Sequence, residues 1–210
     1  PLTFSAVLES GIGAPSSVRE VPGWVHVHDS DFRDSFPHEE EQWSIADILH
    51  RSSNVGTILW AVDLGEERLY ERLLEFGLGR TTELDFPGEA AGILPVVGKW
   101  SGTSLPTIAI GQGVAVTPLQ MVTAFSTIAN EGRRPAPTLV LGTRDTMGVF
   151  QPSERAPDEQ VLEPETSRQL LAMLERVVES GTGTRGQVPG YRVAGKTGTA
   201  WKPRPEGGYG

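Results

Sequence analysis

"GYRVAGKTGTAW", Gly190 to Trp201, supports two readings that lead to different folds. Its first eight residues, Gly190 to Thr197, match the phosphate-loop pattern G-x-x-x-x-G-K-[ST]. A phosphate loop, however, follows a buried strand and opens a helix whose N-terminus faces the phosphates. Here the preceding residues are "TGTRGQVP", which cannot form a buried strand, and the following "TGTAWKPRPEGG" carries glycines and prolines that forbid a helix. A Walker-B-like "ILWAVD" at residues 58–63 lies upstream, in a segment that reads as a helix. The phosphate-loop match is therefore one of spacing alone. The stretch reads instead as a strand, "YRVAGKTGTAW", that presents a lysine, a hydroxyl residue and a glycine in succession.

The rest of the chain has to provide a fold for that strand. It has 210 residues, 38% of them hydrophobic and 21% charged, the composition of a globular protein with a packed core. The net charge of −9 argues against a nucleic-acid partner, which would want a basic face. No cysteine is present, so disulfides, thiol catalysis and cysteine–metal sites are excluded. No run of eighteen apolar residues appears.

Helical segments dominate. "PLTFSAVLESG" reads as a helix that Gly11 ends, and "SIADILHR" as one opened by Ser44 and Asp47 at capping-box spacing. "SSN" interrupts, then "VGTILWAVDLG" runs to Gly65, and "ERLYERLLEFG" places Leu69 and Leu73 on one face. Residues 77–107, rich in Gly and Pro, read as irregular chain wrapping a surface. "TPLQMVTAFSTIANEG" has a capping box at Thr117 and Gln120 and Pro118 at the first helical position, with Val122, Phe125 and Ala129 as its expected buried stripe. "PETSRQLLAMLERVVESG" is amphipathic through Leu170, Leu171, Leu174, Val177 and Val178. "WVHVH", "TLVLG" and "MGVFQ" have strand composition.

Two triplets now stand in a telling context. Ser52-Ser53-Asn54 joins two helices, and Lys196-Thr197-Gly198 lies on the expected strand. Either alone is weak, since Ser-Ser-Asn is an ordinary helix cap and a lysine on an edge strand is common. Together they are two of the three motifs of penicillin-binding proteins and serine β-lactamases. The stretches "SSNVG", "FGLGRTTELDFPGEAAGILP", "IGQGVAVTPLQMVTAFSTIANEG" and "VVESGTGTRGQVPGYRVAGKTGTA" resemble the transpeptidase domain of class B, monofunctional penicillin-binding proteins, over nearly the whole chain. The last of these, with "KPRPEGGY" after it, is most similar to the cell-division branch. The third motif, S-x-x-K, is absent: none of the three lysines, Lys99, Lys196 and Lys202, follows a serine at that spacing. "PLTFSAVLESG" is similar to the segment immediately C-terminal to the family's S-x-x-K, in the pattern S-x-x-K-P. The nucleophilic serine and its lysine are therefore expected directly before Pro1. Residues 1–210 then read as part of a D,D-transpeptidase domain.

The resemblance implies an α+β fold, a helical subdomain packed on an antiparallel sheet, with residues 191–201 central in the sheet of the complete protein. It implies cross-linking of peptidoglycan stem peptides ending in D-Ala-D-Ala through a serine acyl-enzyme, and acylation by β-lactams. Ser52 would relay a proton between the expected lysine and the departing amine, and Asn54 would bond the substrate's acyl-side amide. Lys196 would supply positive charge near the substrate carboxylate, which the Thr197 and Thr199 hydroxyls would bind. Gly198 would let substrate backbone lie along the strand, and the Thr199 N–H would complete an oxyanion hole. No cofactor or metal is implied. A membrane glycosyltransferase of the division machinery is the implied protein partner, and the implied location is the outer face of the bacterial plasma membrane, through an N-terminal anchor outside this sequence. A β-lactam sensor on the same fold, acylated without turnover, is the alternative.

Other features have plainer readings. His26 and His28 share an expected strand face without a third metal ligand at suitable spacing. "DSDFRD", residues 29–34, lacks the glycine and closing glutamate of a calcium loop and reads as a solvated acidic loop. Gly111-Gln112-Gly113 reads as allowing a close approach before the Thr117 helix.

Overall fold

The structure is a computed structural model that describes residues 1–82, 84 and 86–199. Seven α-helices are present among the described residues: α1 (Leu2–Glu9), α2 (Ile45–Arg51), α3 (Asn54–Leu64), α4 (Glu66–Glu75), α5 (Ser104–Ala109), α6 (Pro118–Ala129) and α7 (Pro164–Ser180). They pack about one core. α1 lies against α3, α4 and α7, while α7 also carries α2 and α6 on its flanks. Phe4, Ile45, Ile48, Val55, Leu69 and Leu174 are fully buried between them. Side chains fasten the packing where backbone cannot: Thr3 Oγ1 donates to Ala109 O at 2.7 Å, and Ser167 Oγ to Ile128 O at 2.5 Å.

Both expected capping boxes form. Ser44 accepts from the Asp47 N–H while the Asp47 carboxylate accepts from the Ser44 N–H, and Thr117 and Gln120 repeat the arrangement. Gln120 does more than cap. Its Oε1 accepts from Thr117 N, and its Nε2 donates to Arg80 O at 2.7 Å and Ala91 O at 2.9 Å, so one buried amide holds the irregular 80–91 chain against α6.

The expected stripe on α6 is rotated. Val122 is 62% exposed and Ala129 is also exposed, whereas Gln120, Thr123, Ala124, Thr127 and Ile128 are buried. Threonines can line the core because their hydroxyls find partners on the helix itself, as Thr127 Oγ1 does on Thr123 O at 2.9 Å. On α7 the expectation fits: Leu170, Leu174, Val177 and Val178 are buried and Leu171 is half-buried. α5 lies in and beyond the stretch read as irregular; its Pro106 falls in the first turn, where a missing N–H costs nothing.

The strands form four separate antiparallel pairs. β1 (Val18–Val21) pairs with β4 (Glu41–Ser44), β2 (Trp24–Val27) with β3 (Ser30–Arg33), β5 (Arg133–Arg134) with β8 (Glu159–Gln160), and β6 (Gly142–Arg144) with β7 (Phe150–Pro152). β3 corrects the loop reading of residues 29–34. His28 has φ 57 and stands outside β2, so it shares no strand face with His26, whose Nδ1 meets Asp31 Oδ1 at 2.8 Å across the hairpin. Gly111 and Gly113 adopt φ of +89 and +74, and a Cβ at Gly111 would meet nothing within 4 Å. Left-handed backbone, and not close approach, is what calls for glycine there.

The largest departure concerns residues 191–201. Residues 191–199 make no strand pairing, and 200 and 201 lie outside the described residues. A strand exists only through a neighbour that takes up its backbone groups. Among the described residues no strand is paired with this segment, and Gly195 N instead donates to Leu174 O on α7 at 3.2 Å.

Candidate active site

α2 ends because its last turn cannot continue through Ser52. That residue has φ 61 and ψ 40, left-handed backbone that L residues other than glycine, asparagine and aspartate seldom adopt. The turn lets Ser53, which is buried, become the N-cap of α3 with its Oγ accepting from Gly56 N at 2.9 Å. The second free donor of the α3 first turn, the N–H of Val55, is taken by the Asp34 carboxylate at 3.0 Å. The turn between α2 and α3 is thus held from both sides, and Ser52 projects from it.

Lys196 meets it there. Its Nζ donates to Ser52 Oγ at 2.6 Å, and lies 3.0 Å from Thr197 O and 3.2 Å from Thr197 Oγ1. Burial lowers the lysine below its ordinary value of 10.5. The Thr197 hydroxyl donates onward to Thr182 Oγ1 at 2.9 Å, tying the segment to the loop after α7. Two segments far apart in the sequence, at Ser52 and Lys196, therefore share one neighbourhood.

Of the residues singled out in the sequence, Ser52, Lys196 and Thr197 form one connected set. Asn54 stands at the start of α3 with its Nδ2 donating to Arg33 O at 3.0 Å, and it makes no hydrogen bond to Lys196. Gly198 and Thr199 are exposed beyond Thr197. Two participants escaped the sequence reading. Thr182 sat in a glycine-rich loop whose hydroxyls gave no periodic signal, and Asp34 stood in a run of acids that looked solvated, whereas its side chain is fully buried. Among the described residues no cluster of three or more metal-ligating side chains occurs.

The family model of the penicillin binding protein transpeptidase domain matches residues 1–210. The chain belongs to that family. It is 39% identical, over 97% of its length, to penicillin-binding protein PbpB of Mycolicibacterium smegmatis, of which it covers 33%. It is 30% identical, over 100% of its length, to peptidoglycan D,D-transpeptidase FtsI of Escherichia coli K12, of which it covers 34%. The crystal structure of penicillin binding protein 3 from Mycobacterium tuberculosis complexed with ampicillin superposes with a TM-score of 0.94 at 36% identity, covering 99% of this chain and 48% of that one. The chain thus spans about a third of the length of these curated relatives. The penicillin-binding fold accounts for the mix of a helical core and antiparallel strands, and the phosphate-loop match at Gly190–Thr197 has no place in it.

Proposed function

We propose that these residues build two walls of the active site of a peptidoglycan D,D-transpeptidase of the cell-division branch, with the nucleophilic serine and its lysine supplied by chain attached before Pro1. The observation that carries this is the 2.6 Å contact between Ser52 and Lys196, which joins a helix–helix turn to a segment 144 residues away.

Acyl transfer requires a serine oxygen to attack an amide carbonyl, lose its proton, and hold the acyl group as an ester while the amine departs. Ser52 accepts from Lys196, so its own proton remains free to be given away. A hydroxyl that donates and accepts at once can pass the proton taken from the nucleophile on to the departing D-Ala nitrogen. Lys196, partly withdrawn from water, holds its charge where the carboxylate of a stem peptide ending in D-Ala-D-Ala, or of a β-lactam, would lie. Thr197 and Thr199 offer hydroxyls to the same group, and the Thr199 N–H one donor to the oxyanion. A second stem-peptide amine then attacks the ester and completes the cross-link. On this reading the domain works at the outer face of the plasma membrane, beside a glycosyltransferase.

The test is a fluorescent penicillin added to the complete protein and followed by denaturing electrophoresis. Lys196→Ala should slow labelling by roughly ten- to hundredfold, the equivalent of about 1.5–3 kcal/mol for a hydrogen bond to a charged group. Because the lysine is half-buried and leaves no core cavity, the melting temperature should stay within a few degrees of the parent. Labelling at the parent's rate would remove Lys196 from the site.

A further inference from the structure

We propose that His38 and Asp34, a buried hydrogen-bonded pair outside the motifs, are positioning residues that fix the orientation of Asn54 and so tune recognition of the substrate's acyl-side amide; this rests on the transpeptidase reading. The side chains of Asp34 and His38 are 0% and 4% exposed. Asp34 Oδ2 meets His38 Nε2 at 3.0 Å, while Asp34 Oδ1 accepts from Val55 N, the residue after Asn54, at 3.0 Å. The other ring nitrogen, Nδ1, lies 2.6 Å from Glu39 O.

These partners dictate the protons. Glu39 O is a carbonyl and can only accept, so Nδ1 carries hydrogen. The remaining contact is a hydrogen bond only if one more proton sits between Nε2 and the carboxyl group. The pair therefore shares a hydrogen bond away from water, where removing one partner leaves the other stranded. His38 is further confined by Trp43, with ring centroids 4.4 Å apart, and by Gly23, where an added Cβ would come within 2.5 Å of His38 O.

The consequence reaches Asn54 by two routes. Asp34 anchors the first turn of α3, on which Asn54 sits, and a carboxylate there is favoured by the helix dipole. The residue beside it, Arg33, turns its carbonyl to Asn54 Nδ2 at 3.0 Å. Since that carbonyl cannot donate, it settles which end of the Asn54 amide faces it, and it leaves Oδ1 and the second N–H for a ligand. If the pair is broken, Asn54 keeps its chemistry but loses its fixed direction.

The experiment compares two penicillins on the complete protein: benzylpenicillin, which has an acyl-side amide, and 6-aminopenicillanic acid, which has a free amine in its place. His38→Ala should slow acylation by benzylpenicillin about tenfold or more, the scale expected when a binding group is misplaced by a fraction of an ångström to an ångström. It should slow 6-aminopenicillanic acid far less, reproducing the selectivity of Asn54→Ala. Asp34→Asn supplies the second variant: its Oδ1 still accepts from Val55 N and its NH2 can donate to a neutral Nε2, so it should fold and retain most of the parent's preference. Equal slowing of both penicillins by His38→Ala, or none, with Asn54→Ala selective, would overturn the positioning role alone. A parent protein that reacts with neither penicillin would overturn the transpeptidase reading itself.

Discussion

Ser52 occupies a backbone position that glycine would fill more comfortably. Helices commonly end on a left-handed residue, and glycine takes it without the Cβ penalty, which runs to about 1–2 kcal/mol for other residues. A serine held at φ 61 is therefore maintained for its hydroxyl, and the 2.6 Å contact with Lys196 shows what the hydroxyl meets. Ser52→Gly should separate the two contributions. Thermal unfolding of the complete protein should show a variant at least as stable as the parent, while penicillin acylation falls by an order of magnitude or more. A variant that acylates normally would reduce Ser52 to a helix terminator. At this scale the sequence was informative about residue type but not about surroundings. Ser-Ser-Asn and Lys-Thr-Gly could be recognised as motifs, yet Asp34 looked like one more solvated acid. Burial of a charge depends on which distant groups come to meet it, here Val55 N and His38, and no local pattern encodes that.

Elements were legible where their signals are local. Capping boxes at Ser44 and Thr117 span four residues each and were readable for that reason. The face of α6 was not. Its apolar residues are spread around the axis, and the core side carries Ala124 and Ile128 beside Gln120 and Thr127, polar groups whose hydrogen bonds are completed by backbone carbonyls. Two substitutions discriminate the observed face from the expected one. Val122→Asp places a charge at a position 62% exposed and should change stability by no more than about 0.5 kcal/mol. Ala124→Asp, at a position with no exposure, buries an unpaired carboxylate and should cost about 3–5 kcal/mol in chemical denaturation. Comparable losses for the two would mean that α6 presents the face the apolar pattern suggests. The short strands β1 and β3 went unread because four residues of mixed polarity give no secure alternation, and their pairing partners supply what the pattern lacks.

The helical core holds together within these 210 residues, whereas the proposed chemistry also draws on a serine and a lysine outside them. Its helices share one continuous buried cluster, whereas the Lys196 segment rests on α7 and the α2–α3 turn without a strand on either side among the described residues. The same division appears in the motifs: Ser52 and Lys196 are present, and no serine stands three residues before any lysine. These residues expressed alone should therefore give a protein with cooperative helical melting and no covalent reaction with β-lactams. On the proposed reading Ser52 is not a substitute nucleophile, since its hydroxyl receives a hydrogen from Lys196, which as a charged ammonium has no lone pair to accept the proton Ser52 would release. Loss of the nucleophile in a comparable serine enzyme lowers turnover by roughly a millionfold, which places any residual acylation beneath what a fluorescent penicillin can reveal. Circular dichroism establishes that the sample is folded, and mass spectrometry after prolonged incubation with benzylpenicillin reads the outcome. An adduct on Ser52 would show that this serine can be activated from within the chain and would reverse its assignment from relay to nucleophile. An unmodified mass, together with labelling of the longer protein at a serine upstream of Pro1, would place the nucleophile in the chain preceding Pro1, as the proposed function requires.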